Sequence, residues 1–394
     1  MLSVDEARAA VLAEVRPLAI EKLPLSAALA GRVLAQEVIS AAAVPPFDNS
    51  AMDGFAVVAG PGGRELRIVG ESRAGAPAGV AVGEHEAIRI STGAELPAGA
   101  TAVVMVERTQ ERDGTVVVEE TTPGQNVRRA GEDVAEGATV LRPGTVLGAA
   151  ALGVAANAGA AQLQVAKRPR VAVITTGDEL QPVGTPLGPG EIHDSNGIAL
   201  ATLARQAGAD VVVLDHAADD RERTTTLLGD ALGQADVLLV TGGVSVGPHD
   251  HVKPALAALG VQERFWRVAL RPGKPTWFGT REDKLVFGLP GNPVSSVVTF
   301  ILFAQPALAA LQGAEPLQRR SRAVLTVTVK QTPHRDEMVR VTLEGDRATP
   351  TGPQGSHVLT SLLGADGLAR VPAGEGELPA GSDIDVLRIG STTW

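Results

Sequence analysis

Three rhythms of apolar and polar positions succeed one another along the 394 residues. The chain opens on Ser3-Val-Asp-Glu6, and the apolar positions behind it recur at helical spacing to about Val15. A serine followed three residues later by glutamate is a capping box, because each side chain satisfies a free amide at a helix start. From about Val44 to Gly144 come the short β-branched runs "LRIVG", "AIRIS", "AVVMVE" and "TVVVEE", separated by Gly, Pro and Asp. Such runs between turn formers predict an all-β module. The segment "TVLGAAALGVAANAGAAQLQVAKRP" then predicts a small-residue helix, a glycine turn and a short strand.

At Arg170 the period changes. "VAVITTG", "ADVVVLDHAAD", "DVLLVTGG" and "KLVFGLPG" have the apolar texture of buried strands. They alternate with the helical patterns "NGIALATLARQAG", "DRERTTTLLGDALGQ", "DHVKPALAALG" and the long "PVSSVVTFILFAQPALAALQG". Alternating strands and helices predict βαβ units, that is, a parallel sheet covered on both faces. From Ser321, "AVLTVTVK", "EMVRVTLEG", "GLARVPAG" and "DIDVLRI" predict a second all-β domain, a small barrel.

Composition narrows the function. The chain has no cysteine, which removes disulfides, thiolate metal sites and a catalytic thiol. The N-terminal stretch carries acidic residues and no uninterrupted apolar core, unlike a secretory signal. The most apolar run, "VVTFILFA", meets Gln305-Pro306 well short of the roughly 20 residues that span a bilayer, so a soluble cytoplasmic protein is expected. A net charge of −10 disfavours a general nucleic-acid or anionic-membrane binder, and it requires any anionic substrate to be met by a local group of cations.

Open parallel sheets bind ligands beyond the carboxyl ends of their strands, and three such ends here carry unusual residues. "TTGDEL" puts Asp178 and Glu179 just past a strand; "TGGVSVGPHD" offers Gly242, Gly243 and Gly247 as a backbone nest for an anion; "GLPGNPVSS" starts a helix with Asn292 as N-cap, Pro293 at the first position, and Ser295 and Ser296 in the first turn. A helix start with free amides favours phosphate or another oxyanion. "RVALRPGKP" supplies cations in Arg267, Arg271 and Lys274. The carboxylates Asp178, Glu179, Asp219, Asp220 and Asp250 would repel an anion unless a divalent cation lies between, and oxygen ligands suit Mg²⁺. Two other chemistries are weaker. Gly243-Val-Ser-Val-Gly247 fits the pattern of a hydrolase nucleophile elbow, but Val246-Gly247-Pro248 separates Ser245 from the next helix, and His334 and His357 fall in the all-β region. His249 and His251 flank Asp250, yet no third zinc ligand stands at a recognisable spacing.

These motifs resemble one family. "VPPFDNSAMDGFAV", "GQNVRRAGEDV", "TGDEL", "SNG", "TGGVSVGPHDHVK", "LRPGKPTWFG", "GLPGNPVSS" and "GPQGSH" follow the order seen in molybdopterin molybdenumtransferases, relatives of the gephyrin C-terminal region. The resemblance implies insertion of molybdenum from molybdate into adenylylated molybdopterin with release of AMP, assisted by Mg²⁺. It implies a multidomain fold: a helical and extended dimerisation segment at 1–45 with 140–167, an inserted β domain at 46–139, a three-layer, mostly parallel α/β molybdopterin-binding domain at 168–312, and a C-terminal β-barrel at 313–394. A homodimer is implied, with the partner's "SAMDG" loop completing the site, and with a molybdopterin adenylyltransferase and apo-molybdoenzymes as further partners.

Carried over by position, Asp53, Asp133, Glu179 and Asp250 are the implied catalytic residues, with Asp53, Glu179 and Asp250 toward the metal. Thr92, Gly242, Gly243, Ser245, Arg267, Arg271, Lys274, Pro290, Asn292, Pro293, Ser295 and Ser356 are the implied substrate-binding set. The family often has lysine where this chain has Arg267 and Arg271, and the resemblance leaves Asp219 and Asp220 equally open. Two other functions remain: a molybdopterin adenylyltransferase using ATP, usually carried by the parallel-sheet domain alone, and a non-catalytic pterin carrier or scaffold.

Overall fold

A computed structural model describes residues 1–218, 220–243, 251–316 and 319–389. The chain divides into two compact units: Met1–Glu21, Gly31–Ala35 and Val165–Trp394 form one, Lys22–Ala30 and Gln36–Gln164 the other.

The larger unit is built on a six-stranded sheet. In chain order its strands are β1 (Arg170–Thr176), β2 (Asp210–Ala217), β3 (Val237–Thr241), β4 (Gln262–Trp266), β5 (Trp277–Arg281) and β6 (Lys284–Leu289), and their spatial order is β2-β1-β3-β6-β5-β4. β2, β1, β3 and β6 pair in parallel, as the alternating pattern predicts, while β5 runs antiparallel to both β6 and β4. The pleat divides the strand residues between two cores. Val171, Val173, Leu239 and Phe287 pack toward the helices Ser195–Gln206 and Pro293–Leu311; Ala172, Ile174, Leu238 and Val286 pack toward Arg221–Gln234 and Val252–Ala258. This gives three layers. The opening helix, Val4–Ala13, has the expected capping box between Ser3 and Glu6, and it buries Val4, Ala7 and Val11 in the first of these cores.

The helix after β6 runs through Gln305-Pro306 as its long pattern predicts, but not as α-helix throughout: Pro293–Thr299 continues through a π turn at Phe300–Ala304 into Gln305–Leu311. A π turn absorbs the missing proline amide and the clash its ring would cause in an α-helical ladder. The resulting 19-residue helix is long and apolar enough for a membrane span by composition, but 83% of its apolar window is buried inside the protein, where it serves as the core helix.

Beyond it, Arg320–Leu325, Asp336–Glu344, Arg347–Pro350, Gly367–Val371 and Asp383–Arg388 close into a five-stranded barrel around Leu325, Val339, Val341, Val371 and Val386. The short strand Leu270–Arg271 adds to it in parallel beside Asp336 and Glu337.

The smaller unit centres on a mixed six-stranded sheet ordered Ala102–Met105, Gly54–Val57, Glu86–Ile90, Arg64–Ser72, Thr115–Val118, Thr109–Arg112. All four β-branched runs of the sequence are strands of it, and Phe55, Val57, Leu66, Val104, Val116 and Val118 fill its core. The small-residue helix is Ala149–Asn157, followed by a left-handed turn at Gly159.

Candidate active site

The carboxyl ends of β1, β3 and β6 open into one cavity of about 760 Å³ in the larger unit. Thr176 and Glu179 follow β1, Thr241, Gly242 and Gly243 end β3, and Pro290–Pro293 follow β6. Two helices begin at its wall, through Ser195 and Asn196 on one side and Asn292 and Pro293 on the other. Two helix starts bring two positive dipole ends to one hollow, which suits an oxyanion.

Gly242 and Gly243 are required by space as well as by conformation. Their φ angles are +90° and +59°, and a Cβ on Gly242 would lie 2.6 Å from Thr176 Oγ1 and 2.7 Å from the Thr176 carbonyl. On Gly243 it would meet Val252 at 2.6 Å. The Gly242 amide itself donates to the Leu289 carbonyl at 3.2 Å, so it extends the sheet and is not offered to an anion, against the expectation of a nest beginning there. Ser245 and Asp250, the rest of that motif, lie outside the described residues.

Asn292 is the N-cap of its helix, but its side chain makes no capping bond. Nδ2 donates instead to Ser356 Oγ at 3.1 Å, and the Ser356 carbonyl accepts the Val294 amide. Ser356 therefore reaches the cavity's edge from the barrel side. Ser295 and Ser296 do not line the cavity: both are buried in the first turn, with Ser296 Oγ bonded to Thr241 Oγ1.

The expected group of cations is dispersed. Arg271, held on the added barrel strand, pairs with Glu337 at 3.3 Å and donates to Thr332. Arg267, in a left-handed conformation at φ +72°, stacks 4.0 Å from the Trp266 ring centroid, which Lys253 also covers at 3.5 Å. Neither arginine lines the cavity, and among the described residues no Lys or Arg does. Lys274 comes nearest: it is exposed, its neighbour Pro275 lines the cavity, and among the described residues no partner engages its ammonium.

The carboxylates separate likewise. Glu179 lines the cavity. Asp220 is the N-cap of Arg221–Gln234, its side chain accepting the Arg223 amide at 2.8 Å, which is a structural task. Asp219 lies outside the described residues. Among the described residues no three His, Asp or Glu side chains gather as a metal cage. Of the two cavity carboxylates, Asp194 is engaged by Thr175 and Gly197, which leaves Glu179; one carboxylate suits Mg²⁺, which keeps several waters and is commonly shared with substrate phosphates.

In the smaller unit, Asp53 and Thr92 stand together although 39 residues apart. Asp53 Oδ1 accepts the Thr92 amide at 2.6 Å and the Thr92 hydroxyl at 3.0 Å. The backbone bond, then the hydroxyl, hold this exposed carboxyl below its ordinary range. Asp133 is exposed, its amide bonded to the Val44 carbonyl.

Several cavity groups escaped the sequence reading. Asn196 donates through Nδ2 to the Gly291 carbonyl at 2.7 Å and to Thr241 Oγ1 at 3.2 Å, tying one helix start to the loop before the other. Asp194 caps its helix through Gly197 and accepts Thr175 Oγ1. The "SNG" motif was their only signal. His357, placed by the sequence in the all-β region alone, lines the cavity. Arg340, fully buried, donates to Ser361 Oγ and to the carbonyls of Pro353 and Gly355, so it holds the loop that carries Ser356 and His357. Among the described residues its Nη1 has no partner, and burial pushes the guanidinium down to about 10 against the pull of Glu337.

Comparison with known proteins covers both units. Family models described as the MoeA N-terminal region (domain I and II), a probable molybdopterin binding domain and the MoeA C-terminal region (domain IV) match residues 2–159, 172–310 and 322–389. The chain is 38% identical over 404 residues to molybdopterin molybdenumtransferase 2 of Mycobacterium tuberculosis, covering 98% of this chain and 99% of that one. It is 36% identical over 398 residues to the molybdopterin molybdenumtransferase of Haemophilus influenzae, covering 98% of each. The solved structure of the molybdopterin biosynthesis moeA protein from Pyrococcus horikoshii superposes with a TM-score of 0.84 at 28% identity, over 99% of this chain and 100% of that one. With matches of this identity running almost end to end, the chain belongs to the molybdopterin molybdenumtransferase family.

Proposed function

We propose that this enzyme inserts molybdenum from molybdate into adenylylated molybdopterin and releases AMP, with the strand-end cavity as the substrate site. The observation that carries the reading is the meeting of two helix starts and the glycine end of β3 in one hollow, within a chain of this family. Molybdate and the adenylyl phosphates are all anions. The positive ends of the two helix dipoles and Lys274 offset their mutual repulsion, and the cavity walls restrict their orientation. Cleavage of the phosphate–AMP bond depends on charge stabilisation and in-line positioning more than on a protein nucleophile.

In this reading Glu179, Asp53 and Asp250 place Mg²⁺ or orient the attacking water, Asp133 assists, and Thr92 keeps the Asp53 carboxylate ionised and aimed. When bound, Mg²⁺ neutralises charge developing on the phosphate oxygens. Thr176, Asn196 and Pro290 shape the wall, Asn292 and Ser356 fix the second helix start, and Ser245 supports its loop. The chain works as a homodimer through 1–45 and 140–167, receives its substrate from a molybdopterin adenylyltransferase and delivers to apo-molybdoenzymes.

Reconstitution tests the reading. Purified protein, adenylyl-molybdopterin and molybdate should release AMP only when molybdate is present and should activate an apo-molybdoenzyme. AMP release indifferent to molybdate, or consumption of ATP in its place, overturns it.

A further inference from the structure

We infer that His216 is a positioning residue for Glu179; the inference rests on the role proposed above for that carboxylate. His216 is the next-to-last residue of β2, the edge strand, and its half-buried ring places Nε2 2.8 Å from the Gly177 carbonyl. A carbonyl only accepts, so Nε2 carries the proton and donates.

The same carbonyl accepts the Leu180 amide at 3.1 Å, which closes the four-residue turn Gly177–Leu180 with Asp178 and Glu179 as its central residues. Gly177 has φ +133°, and its would-be Cβ collides with the Glu179 carboxylate, so that carboxylate folds back over the glycine. No hydrogen bond or ion pair among the described residues holds the Glu179 side chain. Its place over the cavity is set by the turn, which is held at its first carbonyl and, at Glu179 itself, by the Ile192 amide 2.8 Å from the Glu179 carbonyl. The backbone tether of Gly177 to β2 is long, 3.4 Å from its amide to the Ala217 carbonyl. The imidazole bond is therefore the short link between the sheet edge and the turn. Beyond the turn the segment is tied mainly to itself, by Gln181 to Glu191, Glu191 to the Gly188 amide and His193 to the Thr185 carbonyl.

The test uses the full chain with His216→Leu, His216→Asn and His216→Gln. Glutamine keeps a donor at the reach of Nε2; leucine has none, and the asparagine amide stops short. Two measurements are made: kcat and KM for molybdate-dependent AMP release, and peptide-level hydrogen exchange across 177–193 in the free protein. The Leu and Asn variants should lose about tenfold in kcat, the equivalent of one hydrogen bond, with KM within about twofold and faster exchange confined to that segment. The Gln variant should stay within about threefold of the parent protein. Should the Leu variant fail to fold, the Asn variant carries the comparison. Equal losses in Gln and Asn, a kcat in Asn above half the parent value, or unchanged exchange overturns the inference. If the parent protein itself releases no AMP, the functional reading has failed, and exchange alone still decides whether His216 holds the turn.

Discussion

At the end of β3 there is no room for a methyl group on Gly242, whereas Asp53 in the smaller unit stands in solvent on two hydrogen bonds from Thr92. The first region is defined by shape: left-handed glycines, buried Thr176 and Thr241, and cross-links such as Asn196 to Gly291. The second is defined by one charge on an open loop. The difference teaches that these two regions should respond oppositely to substitution. Damage to the cavity should cost folding and activity together, while damage to the loop should cost activity alone.

The largest expected effect is on the loop. Asp53→Asn keeps the size of the side chain but removes its charge, so AMP release should fall about 10²- to 10³-fold, the scale for losing one electrostatic contact in a transition state. Thermal unfolding should shift only slightly, because the asparagine oxygen can still accept both bonds from Thr92 on an exposed loop. Full activity would remove Asp53 from the mechanism, and a lost melting transition would break the contrast. Gly242→Ala should behave in the opposite way. With φ +90° and backbone contact at 2.7 Å, it should destabilise by about 2–3 kcal/mol in denaturant titration and reduce activity in parallel.

Asn196→Ala should follow at about 1–2 kcal/mol, since it removes the hydrogen bonds of a buried amide to the Gly291 carbonyl and Thr241 Oγ1; an unchanged denaturation midpoint would show that the helix starts do not need this tie. A paired comparison then separates the cations. Lys274→Met should raise the KM for molybdate roughly tenfold, whereas Arg271→Met, whose charge is already matched by Glu337, should change it less than about threefold, the effect growing with how free the cation is. A reversed order would restore Arg271 to the substrate.

The smallest effect concerns acid. The folded Asp53 carboxyl lies below its ordinary value of 3.8 because it accepts bonds from Thr92. A depressed value means the stabilisation is present above 3.8 and is lost as pH falls through the lower folded value. Carboxyl carbon shifts in NMR should show Asp53 titrating below 3.8, and Thr92→Val, which removes the hydroxyl bond and keeps the amide, should bring it part of the way back. No movement would mean the hydroxyl bond does not form in solution.

How far the sequence carried depended on distance along the chain. The capping box of Ser3 and Glu6 and the N-cap position of Asn292 were legible because their partners lie within four residues. The strand ends were legible because a buried apolar run followed by glycines can be little else. The pairing of Arg271 with Glu337 was not legible because Glu337 lies 66 residues on and reaches it only through barrel strand addition. The π turn that accommodates Pro306 inside the predicted helix was not legible, because it is a choice of the packed core. His357 was assigned to the barrel alone because nothing local shows that its loop, held by Arg340, turns toward the α/β sheet.

By itself, then, the sequence determined the periodicities, the order of β, α/β and barrel segments, and the motifs that mark the family. Those follow from spacing of 2 or 3.6 residues and from which residues tolerate a turn, all short-range properties. Only the tertiary structure decided which charges remain available to a substrate, which hydroxyls are spent on the core, and which distant loops meet at a cavity edge. Those depend on pairings between residues tens of positions apart, and no local rule fixes where two such side chains will meet.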